Sequence, residues 1–409
     1  MASGPPERSR LLQKRPSVDV DKREKGETVK KKWKILLYIL VSLLLLIAAL
    51  IVFHIPILER LLVRQMSKKC IPGVGITLIK KYEIQWSKSY GVIKKGTAIP
   101  ISSETLFQAA SATKLCVAAA ALHFVEKGMI ELDRNINDYL KSWRLPDNEY
   151  TIEKKVTLRM LLSHQSGLPE TDLPYRDGTS PSLVQVLNGE SPALNRPAKV
   201  EYTPGSRWLY SNIAYALIQL LIEDITGQSL EKTMRDVVFS PLKMNSSTLI
   251  HPLTVEFSHK KEASPHNASG KAYPADLHPT AQAQGGLLST PSDLAKLVIE
   301  LMRAYQGESN LIISKKTAQL MFRAGIQLDA QNFGGIQPYQ GLGVFIVKGK
   351  KFYILSVGNN TPGSTCWVLG IPELGGGAVV MTNGQQGFDL TPKIIGALLI
   401  VNRWPMPDL

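Results

Sequence analysis

The chain has 409 residues, 44% hydrophobic and 20% charged, enough for one large or two ordinary globular domains with a sizeable core. Its formal net charge is +14, but residues 1–34 hold eleven Lys or Arg against five Asp or Glu, a surplus of six that leaves +8 scattered over the rest. No basic stripe with interleaved aromatics appears, which argues against nucleic-acid binding, and the absence of CxxC, HxH or HExxH spacing argues against a metal site.

Residues 1–34 lack apolar periodicity and read as a solvated basic tail. The next stretch, "ILLYILVSLLLLIAALIVF" from Ile35 to Phe53, is uncharged and long enough, at about 1.5 Å per residue, to cross a hydrocarbon core of roughly 30 Å. It predicts a transmembrane helix over 35–57, with the lipid bilayer as a partner. Lys30, Lys31, Lys32 and Lys34 abut the span and place the amino terminus in the cytoplasm, so everything beyond residue 57 is expected in the lumen, the periplasm or outside the cell. A cleaved signal peptide is the competing reading, but its apolar region would be shorter and no small-x-small cleavage site follows. Residues 58–69 then form a juxtamembrane connector and 70–409 the folded domain. Cys70, Cys116 and Cys366 cannot all pair, which leaves room for at most one disulfide.

The folded domain opens with "VGITLIKKYEIQWSKSYGVI", whose alternation predicts two paired strands joined near Lys80–Tyr82. A helix is expected over 111–127, and another through Leu158, Leu161 and Leu162, ending before Gly167. Between Pro169 and Pro204 the text is loop-rich around a short helix at 183–187, a plausible cleft wall. Helices over 213–225, stopped at Gly227, and over 230–238 follow. The stretch "TPSDLAKLVIELMRAY" begins a further helix with Ser292 as N-cap and Pro291 just outside it. Strands return in "GLGVFIVKGKKFYILSV", "TCWVLGIPE" and "GGAVVMTN", and "PKIIGALLIVNRW" forms a terminal helix. Strands at both ends of the text and helices between them imply an α/β domain: one sheet assembled from both termini, with a helical subdomain inserted.

Ser111 and Lys114, in "SATK", share one face of a helix at i and i+3. A serine hydroxyl becomes a nucleophile when a base takes its proton, and a lysine can be that base if burial or nearby cations lower its pKa. The apolar, alanine-rich surroundings of Lys114 supply the burial. Ser111 at the helix start also presents its own N–H towards a developing oxyanion.

The blocks "TLFQAASATK", "VEKGMIELDRNINDYL", "TLRMLLSHQSGL", "PGSRWLYSNIAYALIQLLIEDITGQSLEKTMRDVVFSPLKM", "GGLLSTPSDLAKLV" and "ELGGGAVVMTNGQQG" occur in one order. This succession, covering about residues 70–405, resembles the serine β-lactamase-related family, which includes class C β-lactamases, D-alanyl-D-alanine carboxypeptidases, and esterases and transacylases on the same fold. The resemblance implies a β-lactamase/transpeptidase-like fold with helices flanking an antiparallel sheet, no cofactor, and Ser111 as the acyl-accepting nucleophile with Lys114 as its proton partner. Its Tyr-x-Asn motif falls on "YSN", which implies proton transfer by Tyr210 and a hold on the substrate carbonyl or amide by Asn212. Lys114 is expected to lower the Tyr210 phenol pKa by its charge.

The family's third motif, a Lys or His, a small residue and a glycine on the strand lining the cleft, is altered here. Counting back without gaps from "TPGSTCWVLGIPE" puts its positions on Val357, Gly358 and Asn359, with Asn360 nominated for the second oxyanion N–H. Valine cannot bind a substrate carboxylate, which shifts the expectation from β-lactams towards an ester, amide or peptide with an uncharged acyl side. A membrane-anchored serine hydrolase or acyltransferase acting on a small-molecule or peptide acyl substrate is therefore expected. The alternative is a catalytically inactive binding protein on the same fold. His164 and Ser166 read as structural, His123 as a core or edge residue, and His266 as lying on the cleft edge. Asn245, Asn267 and Asn359 begin glycosylation sequons.

Overall fold

The alternating stretch that opens the domain forms a hairpin. β1 (Gly73–Lys80) and β2 (Glu83–Gly91) pair antiparallel, and Lys81 and Tyr82 between them both take positive φ (53° and 58°), as a two-residue type I′ turn requires. The computed structural model describes residues 58–173, 180–251, 253, 260–273, 281–329, 336–360 and 363–407. Val63–Leu409 forms one folded unit, separate from Met1–Leu62. The basic tail over 1–34 and the expected span over 35–57 lie outside the described residues, among which no helix is long and apolar enough to cross a membrane. The expected connector is helical over 58–68 (α1).

The strands of the carboxyl-terminal third are β5 (Tyr339–Gln340), β6 (Phe345–Val347), β7 (Tyr353–Asn360), β8 (Ser364–Ile371) and β9 (Gly376–Thr382). Among the described residues the main sheet has seven strands in the order β2-β1-β9-β8-β7-β6-β5, antiparallel at every pairing. Both chain ends thus build the sheet, as expected, joined where β1 pairs β9 from Val74↔Thr382 to Ile79↔Gly377. Two shorter strands, β3 (Phe107–Gln108) and β4 (Leu288–Ser289), pair with each other outside it.

Helices cover both faces, so β8 is buried along its whole length. The period of two sorts its side chains. On one face Trp367 meets Phe388 edge-on at 6.1 Å, and Thr365 lies against Gly387, both in α9 (Gly387–Val401). On the other, Cys366 and Val368 join the main core, and Gly370 lies under Val298 of α7 (Pro291–Gln306).

That core centres on α2 (Thr113–Glu126), apolar around its whole circumference and buried from Thr113 to Leu122. Such a helix sits inside a domain rather than on its surface. α3 (Leu158–Leu162), α4 (Leu183–Asn188), α5 (Asn212–Thr226) and α6 (Leu230–Met234) make up the inserted helical part, with α8 (Lys315–Met321) after α7. Gly227 ends α5 in the left-handed conformation, as expected.

Three boundaries differ from the sequence reading. The N-cap of α7 is Thr290, whose hydroxyl accepts from Asp293 N, and Pro291 is its first helical residue; the missing proline N–H is one that a first turn does not need. After Met234 the expected 230–238 helix widens into a π turn over Arg235–Phe239. α9 starts a turn earlier than "PKIIG", with Pro392 inside it.

Candidate active site

Ser111 stands on a turn rather than inside a helix. Ala110–Ala112 is a single 3₁₀ turn leading into α2, and Ala110 has φ of 48°, a left-handed conformation that costs a non-glycine residue about 1–3 kcal/mol. Neighbouring bonds over-determine this turn. Thr113 Oγ1 donates to Ala110 O (2.7 Å) and accepts from Leu287 N (3.1 Å), while Ala109 N donates to Leu287 O (2.8 Å). β7 closes on it from the other side: a Cβ on Gly358 would lie 2.1 Å from Ala109 O and 2.9 Å from Ser111 N, so only glycine permits the approach.

Lys114, one turn on, is 4% exposed. Its Nζ lies 3.2 Å from Ser111 Oγ, 3.0 Å from Asn212 Oδ1 and 2.6 Å from the carbonyl of Gln284, and it sits over the rings of Tyr210 and Tyr215 at 4.9 and 5.3 Å. No carboxylate is among these partners, and burial holds the amine well below its ordinary pKa. In the neutral form of the amine the proton count is fixed. A neutral amine has two N–H groups and one lone pair; the amide oxygen and the carbonyl can only accept, so they take the two N–H groups. The lone pair faces the Ser111 hydroxyl.

Tyr210 donates to the same Ser111 Oγ at 2.7 Å. Burial pushes its pKa up to about 12, opposed by the bond to Ser111 and assisted by Glu170. This reverses the expectation that Lys114 would lower it, because burial of the phenol dominates. The phenol is a proton donor at neutral pH.

Tyr210 is placed by the start of α5. Ser211 is the N-cap, its hydroxyl accepting from Ala214 N, and Asn212 is the first helical residue. The Asn212 amide oxygen is committed to Lys114, and among the described residues its amide nitrogen has no partner. His164, read as structural, packs against this segment: it is 3% exposed, its ring lies 4.5 Å from that of Tyr210, and its Nδ1 accepts from Ser211 N (3.2 Å).

The Gln284 carbonyl escaped the sequence reading. It is a backbone oxygen and carries no residue-type signal; the adjacent "GG" is the nearest textual hint. The segment that presents it is held by Gln219 Oε1, which accepts from Ala283 N (3.2 Å), and by Gln282 Nε2, which donates to Leu249 O (2.8 Å).

The third-motif positions shift by one residue. β7 pairs β8 without a bulge, Val357 opposite Trp367 and Gly358 opposite Cys366. Cross-strand partners share a face, so the Val357 side chain is on the α9 face with Trp367, and Ser356 is on the Gly358 face towards the Ser111 turn. Ser356 is 5% exposed, and among the described residues its hydroxyl has no hydrogen-bond partner. Asn359 is exposed, its amide oxygen accepting from Thr365 Oγ1 (3.3 Å), and Asn360 ends the strand opposite Ser364.

Ser111, Lys114 and Tyr210 border a narrow cleft whose other walls include Gln340, Val344, Phe345, Ser356 and Val357. Among the described residues that line it, the other ionisable groups are the neutral His164 and the buried phenol of Tyr215. His266 does not reach the cleft as a free side chain: it is fully buried, with Nδ1 against Asn383 O (2.9 Å) and Nε2 accepting from Lys95 N (3.1 Å). Cys70, Cys116 and Cys366 are unpaired.

The Beta-lactamase family profile matches residues 58–401. A putative D-alanyl-D-alanine carboxypeptidase of Escherichia coli O157:H7 is 29% identical over 196 residues, 46% of this chain and 45% of that protein. Protein flp of Staphylococcus aureus (strain N315) is 24% identical over 238 residues, 58% of this chain and 45% of that protein. The chain thus spans less than half the length of these curated relatives. Among solved structures, an octameric penicillin-binding protein homologue from Pyrococcus abyssi superposes with a TM-score of 0.66 at 25% identity, over 81% of this chain and 73% of that one. The D-amino acid amidase of Ochrobactrum anthropi SV3 does so with a TM-score of 0.63 at 24% identity, over 78% and 88%. The fold is thus the β-lactamase/transpeptidase-like α/β fold.

Proposed function

The chain belongs to the Beta-lactamase family, and from that premise we propose that it is a serine hydrolase or acyltransferase working through a covalent Ser111 acyl-enzyme on an uncharged ester or amide. The observation that carries this reading is the pair of contacts on Ser111 Oγ: the Lys114 amine at 3.2 Å and the Tyr210 phenol at 2.7 Å.

Ser111 Oγ attacks the carbonyl carbon while its proton passes to Lys114 Nζ. The carbonyl oxygen gains the negative charge and is held by the Ser111 N–H and by a backbone N–H of β7. We assign the latter to Asn359 rather than Asn360, since the shift that replaces Val357 by Ser356 moves it too. As the tetrahedral species collapses, Tyr210 gives its proton to the leaving oxygen or nitrogen and is reprotonated from the Lys114 ammonium. The Asn212 amide nitrogen is available to the substrate's acyl-side carbonyl. Water or another hydroxyl or amine then attacks the acyl carbon, giving its proton to Lys114, and Ser111 Oγ leaves as it takes that proton back from the Lys114 ammonium.

Substrate class follows from the wall carried by β7. Where family members place Lys or His, this chain places the Ser356 hydroxyl, which can hydrogen-bond a polar group but carries no charge to form an ion pair with a carboxylate. The names of its relatives, a carboxypeptidase and an amidase, favour amide and peptide bonds alongside esters. β-Lactams, which carry that carboxylate, fit less well. We further propose that the uncharged Ile35–Phe53 stretch anchors the chain in a bilayer with the catalytic unit on the far side from the basic tail, supported by its length and flanking lysines.

A fluorophosphonate probe tests the reading: it should label the folded wild-type chain and not Ser111→Ala. Equal background labelling of both would favour a binding protein that keeps the fold and has lost turnover.

A further inference from the structure

We infer that His164 is a positioning residue that fixes the Tyr210 phenol on Ser111 Oγ by clamping the backbone on both sides of that tyrosine. The inference rests on the acyl-transfer reading for its consequence, and on geometry alone for the clamp. His164 O accepts from Leu209 N (2.9 Å) and His164 Nδ1 accepts from Ser211 N (3.2 Å), so the residues immediately before and after Tyr210 are each tied to the same histidine. The imidazole also lies along the Tyr210 ring, centroids 4.5 Å apart at 32°, and meets Trp208 edge-on at 6.1 Å. One residue, through its carbonyl and its ring, therefore limits translation along the chain and tilt of the ring together.

Two further features single this residue out. His164 has φ of 54°, a left-handed conformation that a non-glycine residue adopts at a cost, and it is buried beside the site. Its own N–H bonds to Leu161 O (3.3 Å), which leaves the ring and the carbonyl to face the Tyr210 segment. The acceptor role of Nδ1 demands the uncharged ring with its proton on Nε2, because an imidazolium has no lone pair to offer. Burial pushes the His164 pKa down to about 3, so this tautomer persists through neutral pH. A residue needed only to fill space would require neither the tautomer nor the paired backbone bonds.

The test is a double-mutant cycle on the rate of fluorophosphonate labelling. Alanine removes the Nδ1 acceptor and the stacked ring, and is expected to lower the rate about 100-fold, the scale of a misplacement near 1 Å. Asparagine tolerates the left-handed backbone and puts an amide oxygen near the Nδ1 position, so His164→Asn should recover most of that loss. In a Tyr210→Phe background there is no phenol left to position, and His164→Ala should change the rate by no more than a factor of about two. The same loss in both backgrounds would overturn the inference, as would failure of asparagine to outperform leucine at this position.

A second measurement does not depend on labelling. With ¹³Cζ-labelled tyrosine, the Tyr210 resonance, identified by its loss in Tyr210→Phe, should stay unionised up to about 12 in the wild type. In His164→Asn and His164→Ala it should ionise earlier, with alanine the earlier of the two. An unchanged titration in both variants would refute the clamp even if wild-type labelling failed, whereas failed labelling with a shifted titration would refute only the acyl-transfer reading.

Discussion

The Lys114 amine stands 3.2 Å from Ser111 Oγ, with its other two close partners, Asn212 Oδ1 and Gln284 O, both pure acceptors. An arrangement that satisfies a neutral amine without surplus identifies the base. Lys114→Met and Lys114→Arg should each lower the labelling rate about 10²–10⁴-fold, arginine included, because a guanidinium keeps its protons. The wild-type rate should hold at neutral pH, its acid limb lying below an ordinary amine's range, since the Lys114 pKa is depressed by burial. A rate that climbs only towards pH values of about 10, as for an unperturbed lysine, would assign the base elsewhere.

Strand parity makes a discriminating prediction about the substrate. Ser356→Lys should raise kcat/KM for carboxylate-bearing esters relative to neutral ones by about tenfold or more, the scale of one charge-assisted hydrogen bond. Val357→Lys should not, because that side chain shares a face with Trp367. Matched p-nitrophenyl esters and a chromogenic cephalosporin provide the readout, and an equal gain at both positions would discredit the register argument.

Two glycines should respond oppositely to one methyl group. Gly358→Ala drives a Cβ to 2.1 Å from Ala109 O, a backbone atom with no easy escape, and should cost about 1–3 kcal/mol or more in stability together with the labelling of Ser111. Gly396, inside α9, has nothing within 4 Å of the same added atom, so Gly396→Ala should stabilise by about 0.5–1 kcal/mol and leave labelling intact. Urea unfolding midpoints compare the two.

Acid should expose the buried imidazole. His164 titrates near 6.5 in the unfolded chain and at about 3 in the folded one, so below 6.5 the unfolded state takes up a proton that the native state refuses. Its contribution to stability is whole above 6.5 and declines as pH falls towards 3. His266, also depressed by burial, acts in the same direction and is present in both proteins. The stability gap between wild type and His164→Asn should therefore narrow from pH 7 to pH 5; parallel curves would contradict the burial argument.

The first hairpin was legible because alternation and a two-residue turn are local, and α5 because its apolar spacing and Gly227 are local too. Ser111, Lys114, Tyr210 and Asn212 were legible as motifs, and the fold brings them within hydrogen-bonding distance of one another as described. The Ser356 position was not, because strand parity counts from the β8 partner and the text counts through the intervening turn. The Tyr210 pKa was misread for a related reason: the sequence shows a lysine nearby and cannot show that burial has discharged it. His164 lay in a recognisable block, but its bonds run to residues 209 and 211, some 45 positions away.

The sheet that unites the two chain ends sets a timetable for biosynthesis. β1 borders β9, and Gly73 N donates to Asn383 Oδ1 (2.7 Å) across 310 residues, so the first strand to leave the ribosome waits for nearly the last. Such a high contact order makes closure slow and leaves β1 with an open flank throughout translation. Charged Glu83 and Lys88 on its hairpin partner β2 guard the opposite margin during that interval. Removing residues 376–409 would thus delete β9 and α9 and leave β1 and β8 each without the neighbour that joins them.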